Sequence, residues 1–297
     1  MGRVKIRIGV GLGAGVGPTG FADAIDQLEA AGVDSVWLSE VVLSHQVDPF
    51  VGMAYALSRT TRLKVGTGVA VLPGRHPMLV AKQLASLAGL APRRVLPVFG
   101  LQPARRRERG LFPIPTGQRG AVFDESIQVL RKALRQERVN HHGTFFDIED
   151  AGVGPLPAKP LDVWLGGSAP AALRRIGRWA DGWLASFVTP QQAARGRATI
   201  QAAAAEAGRE IEEDHFGCTL VLATDGIPPA LAAAIRERQP DLDPAELVAH
   251  SWSDARRLVE QYVEAGLSKF VIVPSATSPA FGEFLDGFTT ELMPLQN

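Results

Sequence analysis

Short runs of β-branched and apolar residues recur along the first third of the chain, beginning near Ile6, Ser35, Leu63 and Arg93, 29, 28 and 30 residues apart. Between them the apolar positions switch to helical spacing over Phe21–Ala31, Pro49–Thr60 and Met78–Leu90. In the first of these, Ala24, Ile25, Leu28 and Ala31 share one face, while Asp23, Asp26, Gln27 and Glu29 turn away. The joints repeat too. Ala31-Gly32 precedes the Ser35 run and Ala265-Gly266 precedes the Lys269 run, each glycine standing where a helix needs a left-handed residue to end. A strand–helix unit repeated every 30 residues or so predicts parallel strands with covering helices.

Further along, the same reading gives a long helix over Gly120–Gln136 and a hairpin over Val139–Ile148 that turns at Gly143. Strands follow at Asp162–Gly166, Gly182–Ser186, Phe216–Ala223 and Lys269–Val273, with helices at Ala169–Trp179, Pro190–Ala207, Asp254–Ala265 and Pro279–Leu292. Eight units favour a closed (βα)8 TIM barrel over an open sheet, with insertions after the fourth strand and between the seventh and eighth. No Pro/Gly/Ser-rich linker divides the chain, so residues 1–297 are expected to form one domain.

Composition narrows the function. Apolar residues are 46% and charged residues 21%, enough for a large core and too apolar for disorder. A formal net charge of zero argues against a nucleic-acid partner, whose binding would need a basic surface. The single cysteine, Cys218, makes no internal disulfide, and no His/Cys/Asp group shows metal-ligand spacing. Met1-Gly2-Arg3 runs into the first strand without signal-peptide character, and no apolar run reaches membrane length, so a cytoplasmic chain with no membrane partner is expected.

One motif points elsewhere. Gly15, Gly17 and Gly20 match G-x-G-x-x-G, and Glu40 ends the next strand about 20 residues later, where a dinucleotide's ribose would be held. Against an NAD(P)-binding Rossmann domain, the first strand is read as ending near Val10 and Pro18-Thr19-Gly20 as a loop opening the helix at Phe21.

Asp34-Ser35-Val36-Trp37-Leu38-Ser39-Glu40, Asp48-Pro49-Phe50, Thr60 to Val69, Arg75-His76-Pro77, Ala81 to Leu87, Trp164 to Ser168, Ala180-Asp181-Gly182-Trp183 and Tyr262 to Leu267 follow one another in an order that resembles the luciferase-like monooxygenase family. The branch most similar uses the deazaflavin coenzyme F420; FMN-dependent monooxygenases are the neighbouring alternative, and a non-catalytic flavin-binding barrel a third.

The resemblance implies hydride transfer between the deazaflavin and a small organic substrate, a non-prolyl cis peptide at Gly68-Val69, and a homodimer through helices of the barrel's first half. Barrel chemistry sits at the C-terminal strand ends. Ser39, Gly68, Val69 and Gly100 are therefore expected at the cofactor ring, the glycines giving its face close access to backbone. Gly166, Gly167 and Ser168 open a helix whose N-terminus suits a phosphate. His76 is expected near the mouth as a cofactor contact. His45, of a residue type that titrates near neutrality, and Glu40 are the catalytic candidates. Arg105 to Arg109 form a basic cluster on the same side.

Two segments depart from the family pattern. Val41 stands where a histidine is usual after the strand-two acid, and the fourth strand reads Val95-Leu96-Pro97-Val98-Phe99-Gly100. Pro97 is expected to distort its ladder, and Phe99 to intrude where small residues normally sit.

Overall fold

A computed structural model describes residues 4–13, 15–275 and 280–297. The readings made on Met1-Gly2-Arg3, and the start of the last helix at Pro279, lie outside the described residues. Strands β1 (Arg7–Leu12), β2 (Ser35–Leu38), β3 (Lys64–Thr67), β4 (Ala70–Val71), β5 (Val95–Leu96) and β6 (Val98–Gly100) alternate with helices α1 (Pro18–Ala30), α2 (Pro49–Arg59) and α3 (Pro77–Leu90). Helix α4 (Arg119–Ala133) leads to the hairpin β7 (Val139–His142) and β8 (Asp147–Ala151). Then come β9 (Trp164–Gly166), α5 (Pro170–Trp179), β10 (Gly182–Ser186), α6 (Pro190–Glu206) and β11 (Phe216–Leu222). The chain closes with α7 (Pro229–Arg238), β12 (Val248–Ala249), α8 (Trp252–Glu264), β13 (Lys269–Pro274) and α9 (Phe281–Glu291).

Two barrel strands are each broken once: β3 continues into β4 across Gly68-Val69, and β5 into β6 across Pro97. With each broken pair counted as one strand, eight strands pair in parallel around a ring. The first and last strands close it, with Arg7 opposite Lys269 and Val10 opposite Ile272. That ring excludes the open Rossmann sheet. Strand β1 runs on to Leu12 rather than ending near Val10, and Pro18 to Gly20 are the first turn of α1, with Pro18 at a position that tolerates a missing N–H.

The strands form because their alternate residues serve two cores. Ile8, Val10, Val36, Leu38, Val65, Phe99, Leu165, Phe216 and Ile272 point outward beneath the helices. Trp37, Val98, Trp164, Leu184 and Val271 fill the barrel itself, with Val69, Leu96 and Val273 against them. Phe99 is therefore outside the ring and fully buried, not intruding at the mouth: Pro97 interrupts the ladder without shifting the period-two alternation. The missing donor at Pro97 is patched by Thr67. Its hydroxyl donates to the Val98 carbonyl at 2.6 Å and accepts from the Val98 N–H at 2.8 Å. Gly32 and Gly266 end α1 and α8 with φ of +72° and +90°, as their place before the strands requires.

Candidate functional site at the C-terminal mouth

The β3–β4 break builds the floor of the mouth. The Gly68-Val69 peptide is cis. Ser39 Oγ donates to the Gly68 carbonyl at 2.9 Å, Gly68 N–H to Leu38 at 2.8 Å, and Glu40 N–H to the Val69 carbonyl at 3.2 Å. The bulge is thus pinned to the end of β2. Gly100 and Gly166 lie on its other side, but for a reason the sequence did not suggest. A Cβ on Gly100 would come 2.7 Å from Val69 Cγ2, and one on Gly166 would come 3.2 Å from Val69 Cγ1. The room those two glycines leave is taken by the Val69 methyls. Ser39, Gly68, Val69, Gly100 and Gly166 are brought together.

Glu40 is held rather than free. Its side chain is 3% exposed and forms an ion pair with Arg75 through both oxygens. It also accepts from the Val71 N–H at 2.7 Å. The Arg75 guanidinium donates to the Val71 carbonyl at 2.7 Å and lies between two rings, 5.7 Å from Phe50 and 5.1 Å from Phe112. In the sequence Arg75 stands out only within the triplet Arg75-His76-Pro77. Nothing local marks it as the partner of a carboxylate 35 residues earlier.

His76 caps α3, its Nδ1 accepting from Met78 N–H at 3.3 Å, with its ring edge-on to Phe146 at 5.4 Å. His45 is exposed on the loop after β2, where its carbonyl abuts Gly17. It makes no side-chain hydrogen bond among the described residues, and the structure does not join it to the floor.

Gly167 has φ +116°, and its carbonyl accepts from Trp183 Nε1 at 2.8 Å. Ser168 beside it is exposed and does not cap α5. The capping position falls on Ala169, which has no side-chain acceptor, and the first turn carries no acid. The first-turn N–H groups of α5 therefore keep their partial positive charge without a capping side chain.

The basic cluster beyond β6 is largely spent on tying loops. Arg105 and Arg107 donate to the Leu43 carbonyl at 2.9 and 3.2 Å, and Arg106 pairs with Glu237 at 2.9 Å. Buried Glu108 accepts from the Leu43 N–H at 3.1 Å. Arg109 Nε and Arg119 Nη1 are buried without a hydrogen-bond partner. In the hairpin, His142 is exposed and pairs with Asp147 at 2.6 Å, but His141 is largely covered, held by Glu125 at 3.2 Å. Sequence spacing gave no metal group, yet Glu212, Asp214 and His215 bring their ligand atoms within 4.8 Å of one another just before β11. They lie at the opposite end of the strands from the mouth. Among the described residues no helix is long and apolar enough to cross a membrane.

Residues 4–238 match the profile of the luciferase-like monooxygenases. The chain belongs to this family. Among curated relatives, an uncharacterized protein of Mycobacterium tuberculosis is 37% identical over 163 residues, and the match spans 55% of this luciferase-like chain and 56% of that protein, little more than half of either. An F420-dependent glucose-6-phosphate dehydrogenase of Kribbella flavida is 26% identical over 98% of both chains. Among solved structures, an F420-dependent secondary alcohol dehydrogenase in complex with an F420–acetone adduct superposes with a TM-score of 0.82, at 18% identity, covering 99% of this chain and 100% of that one. The monooxygenase RslO1 of Streptomyces bottropensis gives 0.78 at 20% identity, covering 98% and 99%. Both superpositions establish the luciferase-like barrel fold.

Proposed function

We propose that this luciferase-like protein is a cytoplasmic coenzyme F420-dependent oxidoreductase that transfers hydride between the deazaflavin and a small organic substrate. The full-length relatives in its favour are named as F420-dependent dehydrogenases, including that of Kribbella flavida at 26% identity. The observation that carries the reading is the pairing of a small-residue floor at Gly68-Val69 with an uncapped helix terminus at Gly167 to Pro170 on the same rim. A flat tricyclic ring needs the first and a phosphate-bearing side chain needs the second.

The residues present fit such a group. Val69, backed by Gly100 and Gly166, would support one face of the ring, and Ser39 would hold the bulge in place through the Gly68 carbonyl. Ser168 and the first-turn N–H groups of α5 would receive the phosphate. When bound, the deazaflavin supplies the carbon that gives or accepts hydride. The chain's own part is to bind, orient and exclude water. Glu40 acts as a positioning residue through Arg75, and His76 acts as the cap of α3 at the rim. His45 is the group we assign to proton handling at the rim, being of a residue type suited to it and having no internal partner. FMN in the same cradle, with monooxygenation as the reaction, is the alternative that a binding comparison decides.

Residues 1–297 act as one domain in this reading, since β1 and β13 complete the ring only together. A homodimer is supported by apolar residues left exposed on the helices of the barrel's first half: Val51 and Tyr55 on α2, Leu79 and Leu90 on α3.

Ser168→Glu tests the phosphate position. Ser168 is exposed and makes no cap, so thermal stability stays unchanged. A carboxylate beside the phosphate lowers F420 affinity at least tenfold, about 1.4 kcal/mol. Unchanged affinity in a fluorescence titration removes the α5 terminus from the site.

A further inference from the structure

We infer that the end of the barrel opposite the mouth carries a second small-molecule site, lined to take an aromatic carboxylate against the buried tryptophans Trp37 and Trp164 and beside Lys269. A cavity of about 760 Å³ opens there, within the size range of ligand pockets. It lies at the N-terminal strand ends, walled by the proline-rich segment from Pro155 to Pro160 and by Ala88 and Gly89 at the end of α3. This end of a (βα)8 barrel ordinarily serves stability, for which an apolar fill is enough. Here the lining is different.

Trp37 and Trp164, 2% and 6% exposed, belong to the barrel's inner core where it borders the cavity, and the sequence makes space for both. A Cβ on Gly9 or Gly66 would come 2.7 Å from Trp37 ring atoms, and one on Gly182 would come 2.3 Å from the Trp164 ring. His215 adds a third ring, 5.3 Å from that of Trp164, its Nδ1 engaged by the Asp181 carbonyl at 2.7 Å. Aromatic side chains lining a cavity favour planar apolar groups.

The charge comes from Lys269, the inward residue at the start of β13. Its Nζ stands 5.1 Å from the centre of the Trp164 ring. Gly217 lies opposite in the sheet, where a Cβ would come 3.1 Å from the lysine's own Cβ. No carboxylate among the described residues lies within ion-pairing distance of this ammonium. Asp34, the acid that acts on it most strongly, pairs through Oδ1 with Lys64 at 2.7 Å and Arg7 at 3.7 Å, its Oδ2 buried without a hydrogen-bond partner. Burial lowers the Lys269 pKa, with Asp34 and Asp214 opposing the shift and Lys64 and Arg7 adding to it. A covered cation with no carboxylate in contact is costly, and a ligand carboxylate would supply the direct pair that Asp34 and Asp214 do not make. An acid on a planar ring satisfies both features together. The site is separate from the mouth, so its test does not depend on the coenzyme.

Isothermal titration calorimetry of the full chain at fixed salt uses 2-naphthoate as probe and the neutral 2-naphthamide as control. The expected result is one saturable site for the acid, with the amide bound at least tenfold more weakly. Lys269→Met weakens the acid at least tenfold and leaves the amide unchanged. Gly89→Phe provides the variant least exposed to misfolding, because Gly89 is exposed and a Cβ there meets no atom within 4 Å. Filling the cavity from that side abolishes binding while the thermal midpoint holds. Equal binding of acid and amide, absence of saturable binding, or unaltered affinity in Gly89→Phe overturns the inference.

Discussion

Glu40→Ala lowers the stability of this protein by about 3 kcal/mol, read as a shift of the urea midpoint at unchanged slope. The carboxylate is 3% exposed and receives both Arg75 and the Val71 N–H, so its loss strands a half-buried guanidinium and a buried backbone donor together. The figure sits at the low end for a broken buried pair because Arg75 is 26% exposed and water recovers part of its solvation. Glu40→Gln keeps an acceptor for Val71 and loses the charge, so it falls between the variant and the parent. F420 affinity drops in both, since Glu40 ties the Val71 N–H and Arg75, in the loop after β4, to the end of β2 beside the bulge at Gly68-Val69. A Glu40 acting in proton transfer gives the opposite pattern: Glu40→Gln then folds as well as the parent and loses only turnover.

Gly100→Ala, the second large effect, destabilises the floor by about 1–3 kcal/mol and weakens F420 binding at least tenfold. The added methyl would stand 2.7 Å from Val69 Cγ2, so the Val69 side chain or its bulge must move into the mouth. Val69→Ala removes that obstruction, leaving the residue-69 Cβ at 3.8 Å and the Ala70 carbonyl oxygen at 3.9 Å, both ordinary contacts. The double variant therefore regains stability relative to Gly100→Ala alone, a favourable coupling measurable in a double-mutant cycle. Strict additivity of the two changes contradicts the packing of Val69 between Gly100 and Gly166.

The barrel was legible because its strands and helices announce themselves locally. The 30-residue beat, the glycines at φ > 0 after α1 and α8, and the boundaries of β10 and α2 all depend on neighbours in sequence. The positions of Ser39, Gly68 and Gly166 at strand ends follow from the same beat. What the pattern did not carry is contact across the ring. Gly100 reads as room for a ring and Gly166 as part of a phosphate loop, yet their missing Cβ atoms accommodate the Val69 side chain from the β3–β4 break. Phe99 read as an intruder because the effect of Pro97 on facing was unknown; the alternation survives the proline, and Thr67 restores its hydrogen bonds. Glu40 read as chemistry because its partner lies in a later loop. The cavity above Trp37, Trp164 and Lys269 joins residues of three separate strands, each unremarked alone.

The measurement that bears most directly on the central claim is a pair of fluorescence titrations of the purified chain, with coenzyme F420 and with FMN, at one salt concentration. Saturable binding of F420 is expected, with FMN at least tenfold weaker. Tighter binding of FMN moves the protein to the monooxygenase branch, and failure of both to bind below about millimolar, weaker than roughly −4 kcal/mol, contradicts the proposed function.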